Sequence, residues 1–233
     1  SDLLAACDER TKAVYVSQVN AMTGQLVNIA ELSGALAGTP TILILDASHA
    51  MGVVPVRADL ADFTVSSCYK FALGIHEGVF AWNRKRRSNF LPFGVGWAAA
   101  NPEERTRGYQ LKSDARRAEF GNAGHLGAYL LQHSLNYLNA FGIEAIQEHA
   151  QTMVQRLIAS MAAAGCDVMT PNLPGEQAGN AAFVCTNTQD FVKKAAADGI
   201  LVWGDNNRIR ASAHLFTTRA DVDYFLERMP GYL

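Results

Sequence analysis

Two residues carry most of the chemistry that can be read from this sequence. Asp46 directly follows the apolar run TILIL at 41–45, so a buried strand delivers a carboxylate to its C-terminal end. In an open α/β sheet that edge is where ligands bind. Lys70 follows 24 residues later and closes the mostly apolar segment DFTVSSCYK. An amine at the end of such a strand is desolvated, which lowers its pKa, and the neutral amine is the form that attacks a carbonyl. Each residue also has a plainer reading: Asp after a strand often caps a turn, and most lysines are solvated. Together they suit pyridoxal phosphate. The lysine would hold the cofactor aldehyde as a Schiff base, and the carboxylate would keep the pyridine nitrogen protonated, so that the ring withdraws electrons from the substrate carbon. Ser67 and Tyr69 set hydroxyls beside the lysine, where they can hold a phosphate. His49 lies three residues past Asp46 and can point into the same crevice or satisfy a structural hydrogen bond.

Three stretches then make a resemblance specific: VSQVNAMTGQLVNIAEL, ILDASHAMGVVPV and DFTVSSCYKFALGIHEGVFAW. They resemble the class V aminotransferase branch of the fold-type I pyridoxal-phosphate enzymes, and within it they look most like kynureninase. The resemblance implies that Asp46 of the D-x-x-H motif binds the pyridine nitrogen and that His49 lies beside the cofactor's phenolic oxygen. Tyr69 would bind the phosphate, Lys70 would be the Schiff-base lysine, and Ser17 would line the cofactor site. It also implies that Gly96-Trp97 and Asn122 approach the phosphate from a neighbouring subunit, and that Arg210 grips the substrate α-carboxylate. Without it, Trp97 reads as core, Asn122 as a helix cap, and Arg210 and its neighbour Arg208 as a solvated strand edge. The sequence departs from the family pattern at Gly74-Ile-His76-Glu77-Gly78, at Ala123-Gly124 and at Phe216, which bears on the substrate more than on the cofactor. Desulfurases of this branch carry a reactive cysteine shortly before the C-terminal arginine, where this chain has VWGDNN, so desulfuration ranks low.

The elements that must position these residues follow from periodicity. AVYVSQV at 13–19 and TILIL are β-branched runs. Ile29, Leu32 and Leu36 between them sit at helical spacing, ended by Gly38-Thr-Pro40. Residues 62–67 and 78–82 are two more strands, and continuous hydrophobicity predicts coverage on both faces. Residues 83–123, with NRKRR, Pro92, Pro102 and a charged run to Arg117, read as a long irregular excursion of the kind that is often functional. Helices are expected from Leu126 to Leu138 and from Gly142 to Gly165, the latter with Ile143, Ile146, Met153, Leu157 and Met161 on one stripe. Strands near 181–185 and 207–212, a helix near 188–197 and a last helix from Asp221 complete the chain. The expected fold is α/β: the later part of a fold-type I large domain, mainly parallel sheet with helices, over 1–141, and a small C-terminal α+β domain over 142–233.

Composition bounds the function. The 233 residues are 49% hydrophobic and 18% charged, enough for a substantial core and incompatible with disorder. Net charge is −2, which gives no general field for nucleic acid or an anionic membrane. No apolar stretch would span a bilayer, and SDLLAACDER lacks a secretory pattern. Four scattered cysteines without a CxxC pair point to neither a zinc site nor a disulfide framework, and make a reducing cytoplasm the default. Gly94-Val-Gly96-Trp-Ala-Ala99 fits a dinucleotide fingerprint only loosely, because no clear strand precedes it.

The resemblance covers only the later part of a full family chain, so an N-terminal part is expected either on the same polypeptide or on a separate one. The leading expectation is a kynureninase-like enzyme, hydrolysing the Cβ–Cγ bond of a kynurenine-type amino acid in a homodimer or heteromer with a shared active site. Transamination or β-elimination on another amino acid is the alternative, and a non-catalytic or split-enzyme subunit needing an N-terminal partner is the rival from a different class.

Overall fold

The computed structural model describes residues 2–101, 110–173 and 175–233. Pro102 and the charged run through 103–109 lie outside the described residues. The chain divides into two compact units. One is built on Ser1–Val16, Ile29–Ser48 and Arg57–Leu135, the other on Ser17–Asn28, His49–Val56 and Asn136–Leu233.

In the first unit, β1 (Ala13–Ser17), β2 (Ile42–Asp46), β3 (Phe63–Ser67) and β4 (Gly78–Trp82) form a sheet in that spatial order. β2 and β3 are parallel, with Asp46 opposite Val65, while β3 and β4 are antiparallel, with Ser67 opposite Gly78. After a short α1 (Asp2–Ala5), the first long connection carries α2 (Ile29–Ala35) between β1 and β2, as the helical spacing predicts. Val14, Val16, Leu43 and Leu45 are buried at alternate positions, the period-two signature of a pleated strand. Asp62 is a buried carboxylate just before β3. It accepts the Leu43 amide at 2.8 Å, and Arg87 Nε lies 3.6 Å away. β4 departs from expectation. It is not covered on both faces: residues 78–81 are exposed, because β4 is the edge strand of this sheet and only its β3 side is paired. Phe63, Phe80 and Phe90 pack ring to ring beside it, with centroids 5.2 to 5.8 Å apart. Within the excursion, the described residues form short 3-10 turns at Trp97–Ala99 and Ala115–Ala118 and a bridge between Ala100 and Leu111.

α3 (His125–Phe141) begins in the first unit, and its last residues belong to the second. There α4 (Ile143–Ala163), α5 (Thr188–Ala197) and α6 (Arg219–Arg228) accompany an antiparallel sheet of order β5 (Asn180–Val184), β7 (Arg208–Ser212), β6 (Trp203–Asp205). The core joins Met153, Leu157 and Met161 of the expected α4 stripe to Phe183, Phe191, Ile209 and Phe225. Strand alternation therefore turns Ile209 and Ala211 into the core and leaves Arg208, Arg210 and Ser212 on the opposite face of β7. The three-residue β6 was too short to announce itself by pattern. α6 starts two residues before the expected Asp221, because Thr218 and Asp221 form a capping box.

Candidate active site

Asp46 ends β2 with both carboxylate oxygens engaged. The Ser48 amide donates to Oδ1 and the Tyr15 hydroxyl to Oδ2, each at 2.8 Å. Burial alone would raise the Asp46 pKa. The hydrogen bonds from Ser48 and Tyr15, with the positive charge of Lys70, outweigh it and hold the group below its ordinary value. The same hydrogen bond pushes the Tyr15 phenol up. Ser48 also ties the ends of β2 and β3 together, its Oγ accepting the Ser67 amide at 3.0 Å. The carboxylate is thus fixed, ionised and within electrostatic reach of Lys70.

Lys70 is half-buried, less enclosed than the end of an apolar strand suggests, because β3 stops at Ser67 and the lysine rides on the turn beyond it. Its ammonium lies 5.7 Å from the centre of the Tyr69 ring, and that ring stacks on His76 at 4.5 Å. Ser67 Oγ is buried with no hydrogen-bond partner among the described residues. A buried hydroxyl left unpaired costs about 1–3 kcal/mol, so this site favours an incoming oxygen. Cys68 is fully buried, and its thiol is pushed up first by desolvation and then by Glu77.

Trp97 and Asn122 flank the undescribed part of the excursion, yet the fold joins their segments. A Cβ on Gly96 would fall 1.8 Å from the Phe120 carbonyl oxygen, so glycine alone permits the approach. Trp97 Nε1 lies beside Gly121, at a distance where a Cβ would make ordinary van der Waals contact. Both Trp97 and Asn122 are exposed, and Asn122 stands three residues before α3. Glu77, on the turn after Lys70, fills the space at Gly124 and Gly127 against the first turn of α3.

Ser17, His49 and Arg210 belong to the second unit. His49 is buried, its Nδ1 3.3 Å from Asn180 Nδ2. Arg210 Nη1 donates to the Ala21 carbonyl at 2.6 Å, and its pKa is lowered by burial and then by the charge of Arg208. Sequence reasoning missed Tyr15, although a strand places it on the same face as Ser17 two residues on. It also undervalued Arg208, which is the more deeply buried of the two arginines.

The profile of the aminotransferase class V family matches residues 1–225. The chain belongs to that family. It is 26% identical over 159 residues to a probable cysteine desulfurase of Methanothermobacter thermautotrophicus, covering 67% of this chain and 40% of the relative. It is 28% identical over 157 residues to a kynureninase of Salinispora tropica, covering 64% and 37% respectively. A cystine C–S lyase solved with cysteine persulfide as its reaction product superposes with a TM-score of 0.85 at 17% identity, over 97% of this chain and 63% of that one. The fold is therefore that of the fold-type I enzymes. The chain spans about two fifths of the length of the curated relatives it matches.

Class V aminotransferases use pyridoxal phosphate, and the residues present fit that cofactor. The ionised Asp46 is the counter-charge a pyridinium needs, Lys70 supplies the amine, and Ser67 offers a buried hydroxyl without a partner. Among the described residues, no group of three or more His, Cys, Asp or Glu could hold a metal ion, and no helix is long and apolar enough to cross a membrane.

Proposed function

We propose that this chain forms part of a pyridoxal-phosphate enzyme that cleaves a bond at Cβ of an α-amino acid, with elimination of a sulfur substituent as the leading reaction. The observation that carries the reading is the Asp46 carboxylate fixed at the end of β2 by Ser48 and Tyr15, with Lys70 just beyond the parallel β3. The bound cofactor supplies an electron sink for charge developing at the substrate Cα. Lys70 Nζ takes the Cα proton as general base and returns a proton as general acid. Asp46 holds the proton on the ring nitrogen, and Ser17, His49, Ser67, Tyr69, Trp97 and Asn122 bind and flank the cofactor. Arg210 orients the α-carboxylate of the substrate.

The sulfur-directed reading is supported by the cysteine desulfurases among the relatives and by the C–S lyase among the structures. A lyase of that kind needs no thiol of its own, and this chain's cysteines suit it. None of Cys7, Cys68, Cys166 and Cys185 stands within the 203–207 segment; the Cys185 amide donates to the Asn207 carbonyl, but its thiol is buried, and burial raises the Cys68 and Cys166 thiols. Hydrolysis of a kynurenine-type substrate is the second reading. It is favoured by the Tyr69-Lys70 pair and by the Gly96-Trp97 element fastened to the segment before Asn122.

The test uses the full-length protein with pyridoxal phosphate. Borohydride reduction followed by peptide mapping is expected to label Lys70, and Lys70→Ala is expected to lose both the label and the visible absorbance. A protein that stays colourless with the cofactor overturns the enzyme reading and favours a non-catalytic subunit. Release of pyruvate with sulfide or persulfide from cystine or cysteine supports the lyase. Anthranilate plus alanine from kynurenine supports the second reading, and consumption of a keto acid with amino transfer overturns both.

A further inference from the structure

The polar face of β7 carries two arginines on alternate residues, and one of them has no assigned role. Arg208 is 4% exposed. Among the described residues its Nε and Nη2 are buried without an acceptor, and so is Nε of Arg210. Nε and Nη2 form one edge of the guanidinium plane, and two parallel N–H bonds from that edge match the two oxygens of a carboxylate. The neighbours do not fill this fork. Asp205 stands opposite Arg208 in the β6–β7 register, but its carboxylate is exposed and accepts from the backbone and side chain of Asn206. Among the described residues no carboxylate lies within ion-pair distance of Arg208, and its guanidinium faces the Trp203 ring. That ring stands 5.0 Å from both the Arg208 and the Arg210 guanidinium carbons. A buried and a half-buried cation side by side, with three nitrogen donors unsatisfied among the described residues, are costly unless an anion joins them. Burial first and then the charge of Arg208 lower the Arg210 pKa, so an anion bound between them offsets part of the penalty.

We infer that Arg208 and Arg210 together form a site for two acidic groups, so that the substrate is an amino acid bearing a second anionic group, bound by the Arg208 fork, besides its α-carboxylate. This rests on the reading of Arg210 as the α-carboxylate ligand and adds the substrate class. Arg208 then acts as a specificity-determining residue, and the Trp203 indole, 5.0 Å from both guanidinium carbons, reports occupancy of both.

Succinate and butyrate test it, since they match in chain length and differ by one carboxylate. Neither carries an amine, so neither reacts with the cofactor. Tryptophan fluorescence and calorimetry on the full-length holoenzyme are expected to show succinate binding about ten-fold more tightly than butyrate, as one additional charge-assisted fork implies. Trp203→Phe is expected to abolish the fluorescence response. Arg208→Lys keeps the charge but loses the fork. It is expected to reduce the preference to about two-fold. Equal binding of the two acids by the unmodified protein overturns the inference without any variant having to fold, and so does a preference retained in Arg208→Lys. The same comparison on cofactor-free protein separates this outcome from failure of the enzyme reading, because a protein that never takes up pyridoxal phosphate can still discriminate the two acids.

Discussion

After Ser48, Tyr15 does most to hold the Asp46 carboxyl below its ordinary pKa. Its hydroxyl donates to the carboxylate from a strand position 31 residues earlier in the chain. The folded-state pKa of Asp46 lies below the ordinary 3.8, so its ionised form contributes stability above that pH, and the contribution is lost as pH falls through the lowered value. Tyr15→Phe removes one hydrogen bond to a charged group. The Asp46 pKa is expected to rise toward 3.8 and cofactor affinity to fall by about three- to ten-fold, the exposed phenol limiting the size. A carbon-13 titration of the Asp46 carboxyl measures the first and cofactor titration the second. An unmoved Asp46 titration in the variant would refute the coupling. At this scale Asp46 and Lys70 were legible, because an apolar run that ends in a charged residue is a one-dimensional signal. Tyr15 and the open Arg208 fork were not. A tyrosine in a strand carries no mark of a partner on the next strand, and an arginine's missing acceptor exists only in three dimensions.

Elements were legible where they are long or strongly periodic, and mis-drawn where pairing decides. α4 followed its stripe because each of Met153, Leu157 and Met161 turns the same way every 3.6 residues. β4 read as doubly covered because Val79, Phe80 and Trp82 are apolar, yet edge position decides coverage and sequence does not encode it. Two substitutions probe the elements. Phe183→Ala, at the centre of the second unit's core, is expected to cost about 3–5 kcal/mol in denaturant unfolding. Thr218→Ala removes the α6 cap and is expected to cost about 1 kcal/mol in the same measurement. A cost for Thr218→Ala equal to that of Phe183→Ala would mean that the cap is not the local feature described.

For the whole molecule, the exposed apolar residues are as informative as the buried ones. In the first unit Leu91, Phe93, Phe120, Leu126 and Tyr129 are all exposed, and exposed apolar surface of this kind, where it is contiguous, marks an interaction site. We propose that a second copy, or the remaining part of the family chain, covers it, in keeping with the shared active site that the family resemblance implies. Leu126→Asp with Tyr129→Asp is expected to shift the full-length protein to a smaller species in analytical ultracentrifugation and to lower activity with it. An unchanged sedimentation coefficient would show that this face has no partner.

The contact between Gly96 and the Phe120 backbone has a consequence for the integrity of the polypeptide. Around it, the Lys112 amide donates to Ala99 and the Asn101 amide to Gln110, so the strands of chain leading into and out of 102–109 are laced together on both sides. A protease cut inside that interval would break a covalent bond without releasing either end. The nicked protein would migrate as two pieces on a denaturing gel and as one on a native column, whereas Gly96→Ala, which drives the two backbones apart, would let the ends separate after the same cut.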